Sequence, residues 1–261
     1  MKTRMTRGCR KGLIVLAFAK AIFLTTSCKT ENYTAQKVNA SQTRIDSTVA
    51  EVESINDYIA PYKKSLDEQL DMPLSFNPAD MHKNDTPLNT RIGNMMAAIS
   101  RAQGEPVFKS RTGHDVDVVL INHGGIRAGI PAGFVTTRTA YEVMPFDNEM
   151  VIAELAPTEM KAMVDYLVLH KRAHPFDGLE IRLKGDDVQS VTLNGKPLTY
   201  DRNYYVMTSD YLLTGGDNMD FFTKAVSSTR IDYKIRNAMI DYFKETDTLG
   251  FDVDNRFTKE N

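Results

Sequence analysis

The chain has 261 residues and only two cysteines, Cys9 and Cys28. A disulfide-stapled scaffold is excluded on that count, because such frameworks need several pairs. Long apolar runs are missing beyond the N-terminus, so no later segment reads as a bilayer-spanning helix. An excess of positive charge is missing too. The formal charge is −2 at pH 7, which argues against a protein that coats a nucleic-acid polymer. No internal repeat or low-complexity tract is visible, which excludes solenoids and arrays. What is present is the composition of a soluble globular protein, 42% hydrophobic and 25% charged. Such a body buries a substantial core without staples.

The N-terminus departs from this composition. Lys2, Arg4, Arg7, Arg10 and Lys11 precede a run from Leu13 to Leu24 that is apolar apart from Lys20. This layout predicts a secretory signal over residues 1–27. Ser27-Cys28 follows, a small residue before cysteine, as in a bacterial lipoprotein cleavage box. Thr25 stands where that box usually has Leu, and a cleaved signal without lipid is the alternative. Lipid on Cys28 would tether the chain, since buried acyl chains supply membrane affinity that the fold lacks. The expectation is an exported envelope lipoprotein that meets the membrane through its anchor only. Removing residues 1–27 takes away six basic and no acidic residues, leaving 26 basic against 34 acidic, a formal −8. An acidic body must concentrate positive charge locally if it is to hold a phosphate.

Residues 28–45 are polar and read as a tether, with the folded domain expected over 46–261. Val49 to Leu70 predicts helix, with Pro61 starting or breaking it. Residues 77–89 read as a loop around Pro78 and Pro87. Ile92, Met95, Met96 and Ile99 sit at helical spacing within 91–101, and 103–115 reads as a loop. Val116 to Ile121 reads as a buried strand, Met150 to Leu155 and Tyr204 to Thr208 as further strands. Thr136 to Val143 is a short helical or turn segment. Residues 158–170 predict an amphipathic helix. Leu179 to Leu183 alternates as a half-buried strand. Val188 to Leu193 and Leu198-Thr199 flank Asn194-Gly195, a strong hairpin signal. Ile231 to Phe243 reads as a closing helix. Strands and helices without regular alternation predict α+β, a mixed sheet with flanking helices.

The most informative segment is Asn122-His123-Gly124-Gly125-Ile126-Arg127, placed where the 116–121 strand ends. Glycine lets backbone turn sharply and approach a ligand. Arginine brings a fork of donors that matches phosphate oxygens. Taken alone, the segment reads more readily as a Gly-Gly turn with a surface arginine. Pro145-Phe146-Asp147-Asn148 and Tyr211-Leu212-Leu213-Thr214-Gly215-Gly216-Asp217 follow it in order.

Together these three blocks resemble the C-terminal, substrate-binding domain of the 5′-nucleotidase family. Its pattern runs roughly N-x-G-G-I-R, then P-F-x-N, then an aromatic, a short spacer and G-G-D. The resemblance covers roughly residues 85–245. It implies that Phe146 and Tyr211 sandwich a nucleobase; stacking of this kind is worth about 1–3 kcal/mol per base. It implies that Asp217 reads the ribose hydroxyls, approached past Gly215 and Gly216. Asn122, Gly124 and Gly125 would meet the base or its approach, Arg127 the phosphate, and Asn148 the base or the Phe146 loop. Family members often carry Phe where Tyr211 stands, and arginines where His82 to Thr90 offers only Lys83 as a cation. Lys83 or Arg91 would then assist Arg127.

Complete enzymes of the family hydrolyse nucleotide phosphates with two divalent metals held in a separate N-terminal domain. The five histidines here, His82, His114, His123, His170 and His174, match none of the ligand motifs of that domain. The resemblance therefore implies no catalytic or metal-ligating residue and no cofactor in this chain. The expected function is nucleotide or nucleoside recognition beside a separate metallophosphatase chain in nucleotide catabolism. The alternative is an envelope nucleotide-binding lipoprotein with no catalytic partner.

Overall fold

Residues 39–260 are described in a computed structural model. Residues 1–38, and with them the expected signal over 1–27, Cys28 and most of the 28–45 tether, lie outside the described residues. Residues 39–52 form their own unit. They are exposed throughout, with Arg44 and Thr48 both held to the Asp46 carboxylate.

The remaining body starts with α1 (Glu53–Leu70), β1 (Pro73–Asn77), α2 (Arg91–Thr112), β2 (Val118–Leu120) and β3 (Gly133–Thr136). It continues through α3 (Thr137–Val143), β4 (Glu149–Leu155), α4 (Pro157–His170), β5 (Phe176–Asp177) and β6 (Leu179–Lys184). Then come β7 (Asp187–Leu193), β8 (Lys196–Pro197), β9 (Tyr204–Ser209) and α5 (Asp210–Leu213). It ends with β10 (Ser227–Lys234), α6 (Ile235–Glu245) and β11 (Phe257–Glu260). The α+β class and the mixed sheet with flanking helices are as expected.

One five-stranded sheet positions the site. Its order is β10-β4-β9-β2-β5. β2 and β9 are parallel, while β4, β5 and β10 run against their neighbours. The chain therefore leaves β2 and β9, and enters β4 and β5, at the same edge. Residues 122–127, 210–217, 146–148 and 172–175 are brought together by topology alone. β10 also ends there, with Lys234 opposite Glu149. A four-stranded sheet, β11-β6-β7-β8, and the β1-β3 pair lie outside this arrangement.

Both faces of the central sheet are buried, as the alternation of its strands requires. Val119, Ile152 and Met207 face a core with Ile92, Met95 and Met96 of α2 and Ile235, Met239 and Phe243 of α6. Val118, Leu120, Ala153 and Val206 face the other way, onto Met160, Met163 and Leu167 of α4. The Asn194-Gly195 hairpin forms as expected, with both residues at positive φ.

Three elements differ from the sequence reading. α2 runs to Thr112, so residues 103–112 are helix rather than loop. A side chain at Gly104 would press on Met207 and Met150, and Phe108 is buried; packing outweighs the Gly and Pro106 signals. Residues 231–234 belong to β10 instead of the closing helix. Ile231, Ile235 and Met239 mimic a helical stripe, but backbone pairing of Ser227–Arg230 with β4 decides the first four residues. α1 continues through Pro61. Every residue from Glu53 to Leu66 is exposed, so packing does not account for this continuity.

Candidate functional site

β2 ends in a single tight turn, His123–Gly125, closed by Gly125 N–H to Asn122 O at 3.0 Å and Ile126 N–H to His123 O at 3.2 Å. The turn throws alternate side chains to opposite sides. Asn122 faces one cavity and His123 another.

The Asn122 side has a volume of about 310 Å³. Its walls are Asn122, Gly124, Gly125, Arg127, Phe146, Asn148, Tyr211 and Asp217. Three separated sequence blocks thus meet in one pocket. Phe146 and Tyr211 are 41% and 44% exposed, so neither ring is a core residue. Asp217 ties the pocket together. Its carboxylate accepts from Asn122 Nδ2 at 2.9 Å and from the Tyr211 hydroxyl at 3.0 Å. Its own N–H donates to that hydroxyl at 3.2 Å, and its carbonyl accepts from the Tyr166 hydroxyl at 2.9 Å. Asp217 sits in the left-handed region, φ 54°, a conformation that costs energy for a non-glycine residue and is held by these four bonds.

Gly215 and Gly216 do not line the pocket but shape it. Gly215 has φ 89°, where a side chain is strained. A Cβ on Gly216 would lie 2.5 Å from the Tyr211 ring, so only glycine lets that ring lie flat on the loop.

The Phe146 wall is fixed from behind. Arg236, at the start of α6, is buried, and its Nη1 donates to the Met144 and Phe146 carbonyls at 3.3 and 3.1 Å. Its other Nη pairs with Asp147, and its guanidinium lies 4.1 Å from the Tyr141 ring centroid. Arg127 is exposed, with its guanidinium 5.8 Å from the Phe146 centroid and no carboxylate paired to it. The Asn148 carbonyl accepts from Ile235 N–H at 3.0 Å, anchoring the loop to α6.

Beneath the turn lie two buried imidazoles. His123 N–H donates to His174 Nδ1 at 3.2 Å, and His123 Nε2 contacts Lys83 O at 3.0 Å and Asn84 Oδ1 at 3.2 Å. Burial holds His174 down to about 4, helped by His123 and Arg172. Burial also lowers His123. Both rings are therefore neutral at physiological pH, and neither presents a general acid to the Asn122 cavity. Among the described residues no three His, Cys, Asp or Glu side chains are gathered to hold a metal ion.

Arg236, Tyr166 and His174 were not singled out from sequence. Arg236 alone left a trace, a charge beside Ile235 on the apolar phase of a helix that also carries Met239.

The model of the 5′-nucleotidase, C-terminal domain, matches residues 77–224, more than half of the chain. The chain belongs to this family. It is 28% identical over 177 residues to a cell wall protein of Listeria monocytogenes, covering 62% of this chain and 22% of that protein. It is 23% identical over 226 residues to UshA of Yersinia enterocolitica, covering 83% and 40%. Among solved structures, a 5′-nucleotidase precursor from Thermus thermophilus superposes with a TM-score of 0.66 at 20% identity, covering 79% of this chain and 43% of that one. This last likeness establishes a shared fold. The chain spans less than half the length of each of these relatives.

Proposed function

We propose that this domain binds a nucleotide or nucleoside, with the base between Phe146 and Tyr211, the ribose on Asp217 and a phosphate toward Arg127. The observation that carries this reading is the convergence of two half-exposed rings, an acid and an unpaired arginine on one cavity of about 310 Å³. That size suits a small-molecule ligand. A slot walled by rings binds bases through their π faces with little discrimination. Asn122 Nδ2 is engaged by Asp217, so Asn122 holds the acid at the pocket wall.

The reading extends to a separate, exported metallophosphatase chain that supplies the divalent metals in nucleotide catabolism. It is supported by relatives whose names include 5′-nucleotidases of three Vibrio species and a trifunctional nucleotide phosphoesterase of Bacillus subtilis. The cell wall protein of Listeria supports an envelope location, and lipid on Cys28 would provide the attachment. A binding lipoprotein without a catalytic partner is the second reading.

Two measurements test this. Calorimetry with adenosine and AMP on the purified chain should give saturable binding, and Arg127→Ala should weaken AMP more than adenosine. Absence of binding to either ligand overturns the reading. AMP hydrolysis, assayed with and without a candidate metal-domain protein, should require that protein. Hydrolysis by the chain alone in chelator would overturn the two-chain assignment.

A further inference from the structure

On the His123 side of the turn a cleft of about 690 Å³ opens between the 83–87 loop and the end of α4. Its cationic residues are Lys83, Lys171 and Arg172, with His170 beside them, and Asp85 is its one acid. Most of these have structural employment. Lys171 pairs with Asp186 and caps α4, donating its N–H to Leu167 O at 3.0 Å. His170 packs on Tyr166 with centroids 4.2 Å apart. Lys83 Nζ donates to Ile126 O at 3.0 Å. Asp85 accepts from the His82 N–H at 3.0 Å.

Arg172 is different. Arg127 and Arg172 are the two arginines of the described residues that no ion pair engages. Each borders a cavity on its own side of the same turn. The guanidinium of Arg172 is exposed and makes no hydrogen bond, in a chain with an excess of acid. Two further donors, Lys83 and Lys171, line the same cleft and keep N–H groups beyond those used above. A buried imidazole, His123, forms part of the wall.

We propose that this cleft is an anion site for a phosphate-class dianion, with Arg172 its principal contact and Lys83 and Lys171 at its sides. The set of donors supports the class of ligand. A guanidinium fork and two ammonium groups suit a tetrahedral oxyanion better than a single carboxylate. The site does not require the ring-walled cavity, and its contacts come from different residues. It is also distinct from Arg127, whose neighbour is the Phe146 ring.

The probe is inorganic phosphate alone, titrated into the full-length chain and followed by calorimetry and by the imidazole resonances of His123 and His170. Wild type should bind saturably, and the affinity should fall as salt rises. Arg172→Ala should weaken binding roughly tenfold or more, and Arg172→Lys by less. Because no hydrogen bond or ion pair among the described residues engages the Arg172 side chain, both variants should stay folded, which thermal melting checks alongside. Lys161→Ala, which removes an exposed α4 cation paired with Asp165, should leave phosphate affinity unchanged. Absence of saturable binding, or equal binding by Arg172→Ala, overturns the proposal. Loss on Arg127→Ala but not Arg172→Ala also overturns it, by moving the anion to the ring-walled cavity. Adenosine binding, measured on the same variants, reports separately on the nucleoside reading.

Discussion

On the Asn122 side of the turn, nearly every wall is held from behind: Asp217 by four hydrogen bonds, Tyr211 by Gly216, and the Phe146 loop by Arg236. On the His123 side, the walls are long side chains at a helix end and an irregular loop, and one arginine has no hydrogen bond or ion pair among the described residues. The first cavity is a preorganised slot of mixed walls; the second is a wider and more open cationic cleft. Preorganisation favours a rigid aromatic ligand, because little order is lost on binding. Loose charges favour a small strongly charged one, which orders them as it arrives. The difference shows how one turn borders two differently lined cavities through the two faces of a single strand end.

The largest expected effect tests what the two cavities share. His174 lies under the turn and is buried, with its imidazole lowered from 6.5 to about 4. His123, Arg172 and His170 disfavour its charge, and Asp217 favours it. A depressed histidine means that the unfolded chain binds the proton first. Folding is therefore unaffected above about 6.5 and weakened as pH falls toward 4. The shift corresponds to about 3 kcal/mol. His174→Asn keeps an acceptor for His123 N–H and cannot titrate. Denaturant unfolding from neutral pH down to 4 should show a steeper loss in wild type than in the variant. Parallel curves would mean that the turn rests on something else, and that the cavities do not share this floor.

The next effect separates the cavities. Phe146→Ala and Tyr211→Ala should each cost adenosine binding about 1–3 kcal/mol while leaving the protein folded, since both rings are half exposed. Phosphate binding in the cleft should be untouched. If calorimetry finds adenosine affinity unchanged in both variants, the slot does not stack a base.

The parts of this architecture that were readable in the sequence are those carried by local chemistry. Asn122 to Arg127, Pro145 to Asn148 and Tyr211 to Asp217 are contiguous blocks, and glycine announces where backbone must turn. Their meeting point follows from strand order, which no local pattern encodes. Arg236, Tyr166 and His174 support the slot from distant segments, so each resembled an ordinary helix or loop residue. The misread stretches have the same cause. Gly104 and Pro106 signal a break, yet Met207 and Met150 close over Gly104 and the helix persists. Ile231 matched a helical phase, yet its neighbours pair with β4.

The smallest effect concerns one oxygen. Tyr211 stands where family members often carry Phe, and its hydroxyl both donates to the Asp217 carboxylate and accepts from the Asp217 N–H. The ring surface offered to a base is the same in Phe. What the hydroxyl adds is a restraint on Asp217, whose left-handed backbone is costly without support. Tyr211→Phe should therefore leave adenine binding unchanged and weaken adenosine binding by about 1 kcal/mol, because the acid proposed to meet the ribose is less fixed. Calorimetry with the free base and the nucleoside separates the two terms. An equal loss for both ligands would place the hydroxyl's influence on stacking, and Asp217 would then owe its position to Asn122 and Tyr166 alone.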